Sequence, residues 1–221
     1  MLLAIDVGNT NVTIGLFDGA RLAHHWRLAS LRERTADELG ILVTRLLEQA
    51  PVGPTTLSGI VIASVVPPLT RPMEEMCARY FGRAPLLVDA SNAGIRIRYT
   101  PASDVGADRI VNAVAAWEQY GSGGDAPLIV VDFGTGTTFD VISRAREYLG
   151  GIICPGIGIS ADALFQRAAR LPRVDVRSLR GQLDRARWRR SSPGCSSGTW
   201  RWWTGWCGAS SRNWRPVSAP S

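Results

Sequence analysis

"AIDVGNTNVTIGLFDG", residues 4–19, decides how the rest of the chain reads. An apolar run ends in a lone carboxylate, Asp6, a Gly-Asn-Thr-Asn turn follows, and a second apolar run begins at once. This pattern predicts two strands, "MLLAIDV" and "VTIGLFDG", the second ending in a turn at Asp18-Gly19. A strand that ends in Asp and enters so bare a turn presents several backbone N–H groups in a small concavity, a cradle for phosphate oxygens. Gly8 lets the backbone come close to such a ligand. A carboxylate beside polyphosphate is repelled unless a divalent cation lies between them, so Asp6 is expected to order Mg²⁺, directly or through water. Thr10, Asn11 and Thr13 add side-chain donors. Taken alone, the stretch also reads as an ordinary β-hairpin whose Asp caps local N–H groups.

Working outward, "ARLAHHWRLAS" reads as a third strand. In "RTADELGILVTRLLEQA", Leu39, Leu42, Val43, Leu46 and Leu47 fall on one helical face, with Thr35 as the cap. "LSGIVIASVVP" is a strand run into Pro67-Pro68, "LTRPMEEMCARYFG" a helix closed by Gly82, and "APLLVDA" a further strand. The order is β-β-β-α-β-α-β. A helix over "DRIVNAVAAWEQYG" then leads to "LIVVDFGTGTTFDVIS", which repeats the opening design: apolar strand, Asp, Gly-containing turn rich in Thr, second apolar strand. "EYLGGIICPG" supplies the next strand and "ISADALFQRAARL" a helix. Internal duplication accounts for both copies, and the recurrence at Asp132 favours phosphate binding over a plain hairpin. Two such turns facing each other across a cleft would hold the triphosphate of ATP.

Composition narrows the chemistry. All 25 cationic residues of the 221 are Arg, and the absence of Lys excludes a Walker A loop, a protein-kinase phosphate lysine and a pyridoxal Schiff base. If the chain transfers phosphoryl groups, it does so through turns and metal. Cys77, Cys154, Cys195 and Cys207 form no CxxC or Cys/His cluster, which argues against a zinc site or a disulfide framework. Apolar runs are strand-length and residues 1–5 lack the start of a signal peptide, so a soluble cytoplasmic protein is expected, without a membrane partner. His24 and His25, adjacent on an expected strand, read as structural.

"DVGNTN", "GADR" (residues 106–109), "DFGTGTTFD" and "GGIICPGI", in this order and at these separations, resemble the type III pantothenate kinases of the duplicated ribonuclease H-like superfamily that includes actin and the sugar kinases. The resemblance covers residues 1 to about 176. It implies an α/β fold of two ribonuclease H-like lobes with a nucleotide cleft between them. It also implies ATP-dependent phosphorylation of the primary hydroxyl of pantothenate, the first step toward coenzyme A, in a homodimer that needs K⁺ or NH₄⁺. Carried across, Asp6, Val7, Gly8, Asn9, Thr10, Asn11, Val12 and Thr13, with Thr135, would bind ATP. Asp108 would be the general base. Gly106, Ala107, Asp108 and Arg109, with Tyr99 of "RIRYTP", would line the pantothenate site, and Asp132 would bind the monovalent cation. The "GGIICPG" segment would lie toward the adenosine. Arg109 offers a planar fork for a carboxylate or a phosphate. Read without the family, Asp108-Arg109 is a helix start, Asp132 a turn cap and Tyr99 a half-buried strand residue.

The pattern ends near residue 176. Residues 177–221 hold nine Arg against one acid and six of the eight Trp, with no sustained apolar period, whereas residues 1–176 carry 16 Arg against 18 acids. The isoelectric point of 9.8 is therefore a property of the tail. Residues with GC-rich codons dominate the tail, which suggests a shifted reading frame and a segment without fixed structure. The expected division is an N-terminal lobe at 1–120, an incomplete second lobe at 121–176 and the aberrant tail at 177–221. Loss of closing helices is expected to expose apolar sheet surface and impair activity. The competing reading is a non-catalytic, DNA-associated relative of the family, although a nucleic-acid partner has only the tail's charge in its favour.

Overall fold

The computed structural model describes residues 1–50, 57–121 and 126–168. Its first sheet grows from the opening hairpin, β1 (Leu2–Val7) against β2 (Asn11–Asp18), with β3 (Arg21–Ala29) antiparallel on the outer side. β4 (Gly59–Ser64) lies parallel to β1, and β5 (Leu86–Leu87) parallel to β4, giving the order β3-β2-β1-β4-β5. Alternation along β1 divides its side chains between two faces. Leu3, Ile5 and Val7 meet α1 (Ala36–Glu48) and α2 (Pro67–Phe81) through Leu39, Val43, Leu69 and Met73. Ala4 points to the opposite face, where it packs with Phe17, Val61 and Ala63.

Local chemistry sets the helix ends. Thr35 and Glu38 form a capping box, Thr35 N–H donating to Glu38 Oε2 at 2.8 Å and Glu38 N–H to Thr35 Oγ1 at 3.3 Å. α2 starts two residues before the expected "LTRPM", because Pro67 and Pro68 occupy its first turn, where a fixed φ suits the helix and no N–H is required. Gly82 closes it at φ 62°, as expected of a left-handed cap. The expected strand "APLLVDA" is only two residues long, since Asn92 and the Asp89 carboxylate draw the chain beyond it into a turn.

The second sheet repeats the first three strands. β7 (Leu128–Phe133), β8 (Gly136–Ile142) and β9 (Glu147–Pro155) run antiparallel in the order β9-β8-β7, mirroring β3-β2-β1. A strand not expected from sequence, β6 (Arg96–Ile97), adds in parallel to β9. α4 (Ile157–Arg167) follows β9. Between the sheets lies α3 (Ala107–Ala116), which continues into a π-helical turn at Trp117–Gly121. Ala107 and Val111 pack on the first sheet, while Ile110, Ala113 and Val114 pack on Val130, Ile142 and Tyr148 of the second. A helix apolar on two sides is a buried helix, and this one joins the lobes.

The architecture is thus α/β, with a duplicated strand-turn-strand and a second copy that holds fewer elements among the described residues. Its sheet leaves Ile129, Phe133, Phe139 and Ile152 exposed on the face away from α3. Among the described residues no helix is long and apolar enough to cross a membrane. Cys77 and Cys154 are free thiols, whereas Cys195, Cys207 and the Arg/Trp-rich tail lie outside the described residues.

Candidate active site

Asp6 is the next-to-last residue of β1, on the α3 face of its sheet and register-paired with Thr13 on β2. Asp132 holds the same place in β7, paired with Thr138 on β8. Each turn beyond them is closed by a glycine N–H, across three residues in the first and two in the second. Gly8 N–H donates to Asn11 O at 3.0 Å, and Gly134 N–H to Gly136 O at 2.9 Å. They meet at their tips, where Thr10 Oγ1 and Thr135 Oγ1 are 2.7 Å apart and share a hydrogen bond. Ser30, at the end of β3, secures the first turn: its hydroxyl donates to Gly8 O and its N–H to Thr10 O. Asn9 and Thr10 remain exposed, and Val7 and Val12 are core residues flanking the turn.

α3 brings the other charged groups. Asp108 and Asn112 fall on one stripe of the helix, because positions four apart stack on the same side, while Arg109 stands one position round from Asp108 and three before Asn112. Gly106 precedes the helix, and a Cβ there would stand 2.6 Å from Asp108 Oδ1, so glycine leaves room for the folded-back carboxylate. That oxygen accepts from Arg109 N–H at 2.7 Å. Asn112, 4% exposed, donates from Nδ2 to Asp132 Oδ2 at 3.2 Å.

The carboxylates of the two lobes feel one another. Burial, then the charges of Asp108 and Asp132, raises the Asp6 pKa to about 7. Burial also raises Asp108, opposed by the bond from Arg109 N–H and reinforced by Asp132. Asp132 is raised by burial and by Asp140, against the bond from Asn112. All three carboxylates are thus held above their ordinary range, by burial first and by one another's charge.

Beside them lies a cavity of about 170 Å³ lined by Tyr99, Asp104, Val105, Arg109, Tyr148, Gly151 and Ile153. Arg109 reaches its wall from α3. Its Nε–H donates to Asp140 Oδ1 at 2.7 Å, and its guanidinium carbon stands 5.9 Å from the centre of the Tyr148 ring. Burial works against the Arg109 cation, but the Asp140 carboxylate outweighs it and holds the pKa above its usual value. Gly150, at φ 120°, sits against Tyr99, and Gly151 against Arg109. The Gly-Gly pair therefore borders the cavity, while the far end of the same segment, at Gly156, presses on the Thr135 turn.

The structure thus brings Asp6, the Gly8–Thr10 turn, Thr135, Asp108 and Asp132 to one junction, with Tyr99 and Arg109 on the adjoining cavity. Sequence reasoning missed Ser30, Asn112, Asp140 and Tyr148. For Asn112 a signal existed in the spacing of four from Asp108, and for Asp140 in the strand alternation with Thr138.

Two strand-turn-strand units, one in each sheet, thus bring their turns and carboxylates to one place. The family model for type III pantothenate kinase matches residues 2–190, and the chain belongs to that family. The match continues past residue 176, where the motifs give out. The type III pantothenate kinase of Anaeromyxobacter sp. strain K is 56% identical over 176 residues, 79% of this chain and 68% of that protein. That of Koribacter versatilis is 50% identical over 188 residues, 80% of this chain and 67% of its own length. The chain spans about two thirds of the length of these relatives. A ROK hexokinase structure from Thermus thermophilus is similar at a TM-score of 0.38 and 18% identity, covering 72% of this chain and 51% of that one.

Proposed function

We propose that the chain phosphorylates the primary hydroxyl of pantothenate with ATP, the first step of coenzyme A synthesis, as a cytoplasmic homodimer. The observation that carries this reading is the meeting of the Thr10 and Thr135 turns above Asp6, Asp108 and Asp132. The turn from Asp6 to Thr13, with Thr135, holds the ATP phosphates. Asp108 takes the proton of the attacking hydroxyl, late in a step that depends mainly on positioning and charge stabilisation. Tyr99 and the Gly106–Arg109 segment receive pantothenate, with Arg109 directed to its carboxylate.

The residues fit the expected cations. Among the described residues no cluster of three His, Cys, Asp or Glu is arranged to hold a metal by itself. Mg²⁺ typically takes one or two carboxylates, keeps several waters and leans on substrate phosphates, which suits Asp6. Asp132, oriented by Asn112, would hold K⁺ or NH₄⁺. Such cations supply neutralising charge along the phosphates when bound. The exposed Ile129, Phe133, Phe139 and Ile152 offer apolar surface to a second copy.

The test is a coupled ADP-release assay with pantothenate, ATP, Mg²⁺ and K⁺ on the chain and on Asp108→Asn. Pantothenate-dependent release by the first, reduced by about 10²-fold or more in the second, is expected. Equal rates would remove Asp108 from the mechanism.

A further inference from the structure

We propose that Asp140 is a positioning residue for the acceptor side of the site: it seats the Arg109 guanidinium, together with Tyr148 and Gly151, in the orientation from which Arg109 meets the acceptor's anionic group. The proposal rests on the kinase reading above and assigns a role to a carboxylate that reading leaves unused.

Asp140 is 0% exposed, on the inner face of the second sheet. Both of its oxygens are bonded. Oδ1 accepts from Arg109 Nε–H at 2.7 Å and from Tyr148 Oη–H at 2.6 Å, and Oδ2 accepts from Thr138 Oγ1–H at 3.2 Å. A carboxylate so enclosed can neither abstract a substrate proton nor reach a cation in the junction. Its remaining capacity is to hold what donates to it.

The seat is shaped on several sides. Asp140 takes the Nε edge of the guanidinium, the Tyr148 ring lies toward its face at 5.9 Å, and Gly151 makes space behind Nη2, where a Cβ would come within 2.5 Å. Nη2 stands 2.6 Å from Asp140 Oδ1 as an ion pair, yet it is buried and has no hydrogen-bond acceptor among the described residues. A buried donor left open beside a cavity is satisfied when a ligand brings an acceptor. Arginine side chains carry large rotamer freedom, and fixing this one beforehand lowers the cost of ordering it on binding. Tyr148 and Thr138 in turn fix the carboxylate, so the network runs from the floor of the second sheet to the acceptor cavity.

The test uses the full chain with Asp140→Asn, Tyr148→Phe, Arg109→Ala and the double variant Arg109→Ala/Asp140→Asn. Pantothenate and ATP affinities are read by calorimetry, thermal midpoints by calorimetric scanning, and the Arg109 side chain by the exchange rate of its Nε–H in nitrogen-15 spectra. Asp140→Asn is expected to weaken pantothenate binding about tenfold while ATP affinity stays within about twofold, and to speed Nε–H exchange. In the Arg109→Ala background the same change adds no further loss of pantothenate affinity, because residues acting through one another are not additive. There it raises the thermal midpoint, since a buried carboxylate stripped of its partner is neutralised.

Equal losses of ATP and pantothenate affinity in Asp140→Asn, or unaltered Nε–H exchange, would overturn the proposal. A chain that binds no pantothenate would sink the kinase reading, while Nε–H exchange and the double-variant midpoint still decide whether Asp140 seats Arg109. Should Asp140→Asn fail to fold, Tyr148→Phe keeps the ion pair and is expected to weaken pantothenate about threefold with ATP unaffected. An unchanged pantothenate affinity in that variant counts against the seat.

Discussion

Thr10 and Thr135 join their hydroxyls at 2.7 Å across 125 positions of sequence, so the turns closing β1 and β7 touch at their tips. Neither turn could do this from within one sheet. The contact requires α3 to hold the two sheets apart at the width of one helix, with their Asp-bearing strand ends on the same side. The junction is therefore largely a product of the duplication, each sheet contributing one turn and one strand carboxylate, with Asp108 added by α3.

Replacing Thr10 by Val removes a donor from the phosphate side of this junction and breaks the hydroxyl pair. Because the pair is exposed, folding depends little on it. The KM for ATP is expected to rise by about three- to tenfold, with the thermal midpoint almost unmoved. Initial rates at varied ATP check this, and an unaltered KM would detach Thr10 from the nucleotide.

Asp108 must be ionised to accept a proton, and its pKa is raised chiefly by burial. Activity should therefore climb with pH through a value above the ordinary carboxylate range, giving an acidic limb displaced toward neutrality. The profile of kcat/KM for pantothenate measures it in the free enzyme. An acidic limb at the ordinary carboxylate value would mean that Asp108 is not the titrating base.

Asp6 predicts a stability effect of defined sign. Its folded pKa is about 7, against 3.8 for an ordinary aspartate, so between these the folded chain binds the extra proton. The stabilisation is fully present below about pH 4 and is lost as pH rises through about 7. Asp6→Asn escapes this loss and, without nucleotide or Mg²⁺, should unfold at higher urea than the native chain at pH 8, the gap shrinking by more than half at pH 5. Since Asp6 keeps some contact with solvent, the gain is at most a few kcal/mol. A gap of the same size at both pH values would show that charge is not its source.

The parts legible from sequence were those written locally or twice. The strand-Asp-turn repeat at Asp6 and Asp132 depends on hydrogen bonds a few residues apart, and the Thr35 cap on one turn of helix. Asp140 was passed over because its partners, Arg109 and Tyr148, come from another helix and another strand, 31 and eight positions away. β6 was hidden for a related reason, since two residues gain strand geometry only from pairing with β9. The Pro67-Pro68 pair misled in the opposite way, reading as the end of a strand although proline also suits a first helical turn.

Gly156 and Gly158, two positions apart, separate space from sequence preference. A Cβ on Gly156 would overlap the carbonyl oxygens of Gly134 and Thr135, backbone atoms of the second turn that cannot swing aside. Its N–H also donates to Thr135 O at 3.0 Å, tying the entry of α4 to that turn. Gly156→Ala must displace the turn, moving Thr135 away from Thr10. The expected result is a loss of about 1–3 kcal/mol together with a raised KM for ATP. A Cβ on Gly158 meets nothing within 4 Å, and the residue lies inside α4. There alanine is the better helix former, so Gly158→Ala should be neutral or stabilising by up to about 1 kcal/mol. Urea unfolding of the two variants, with ATP titrations beside it, makes the comparison. If both melt alike and bind ATP alike, the end of β9 does not support the nucleotide turn.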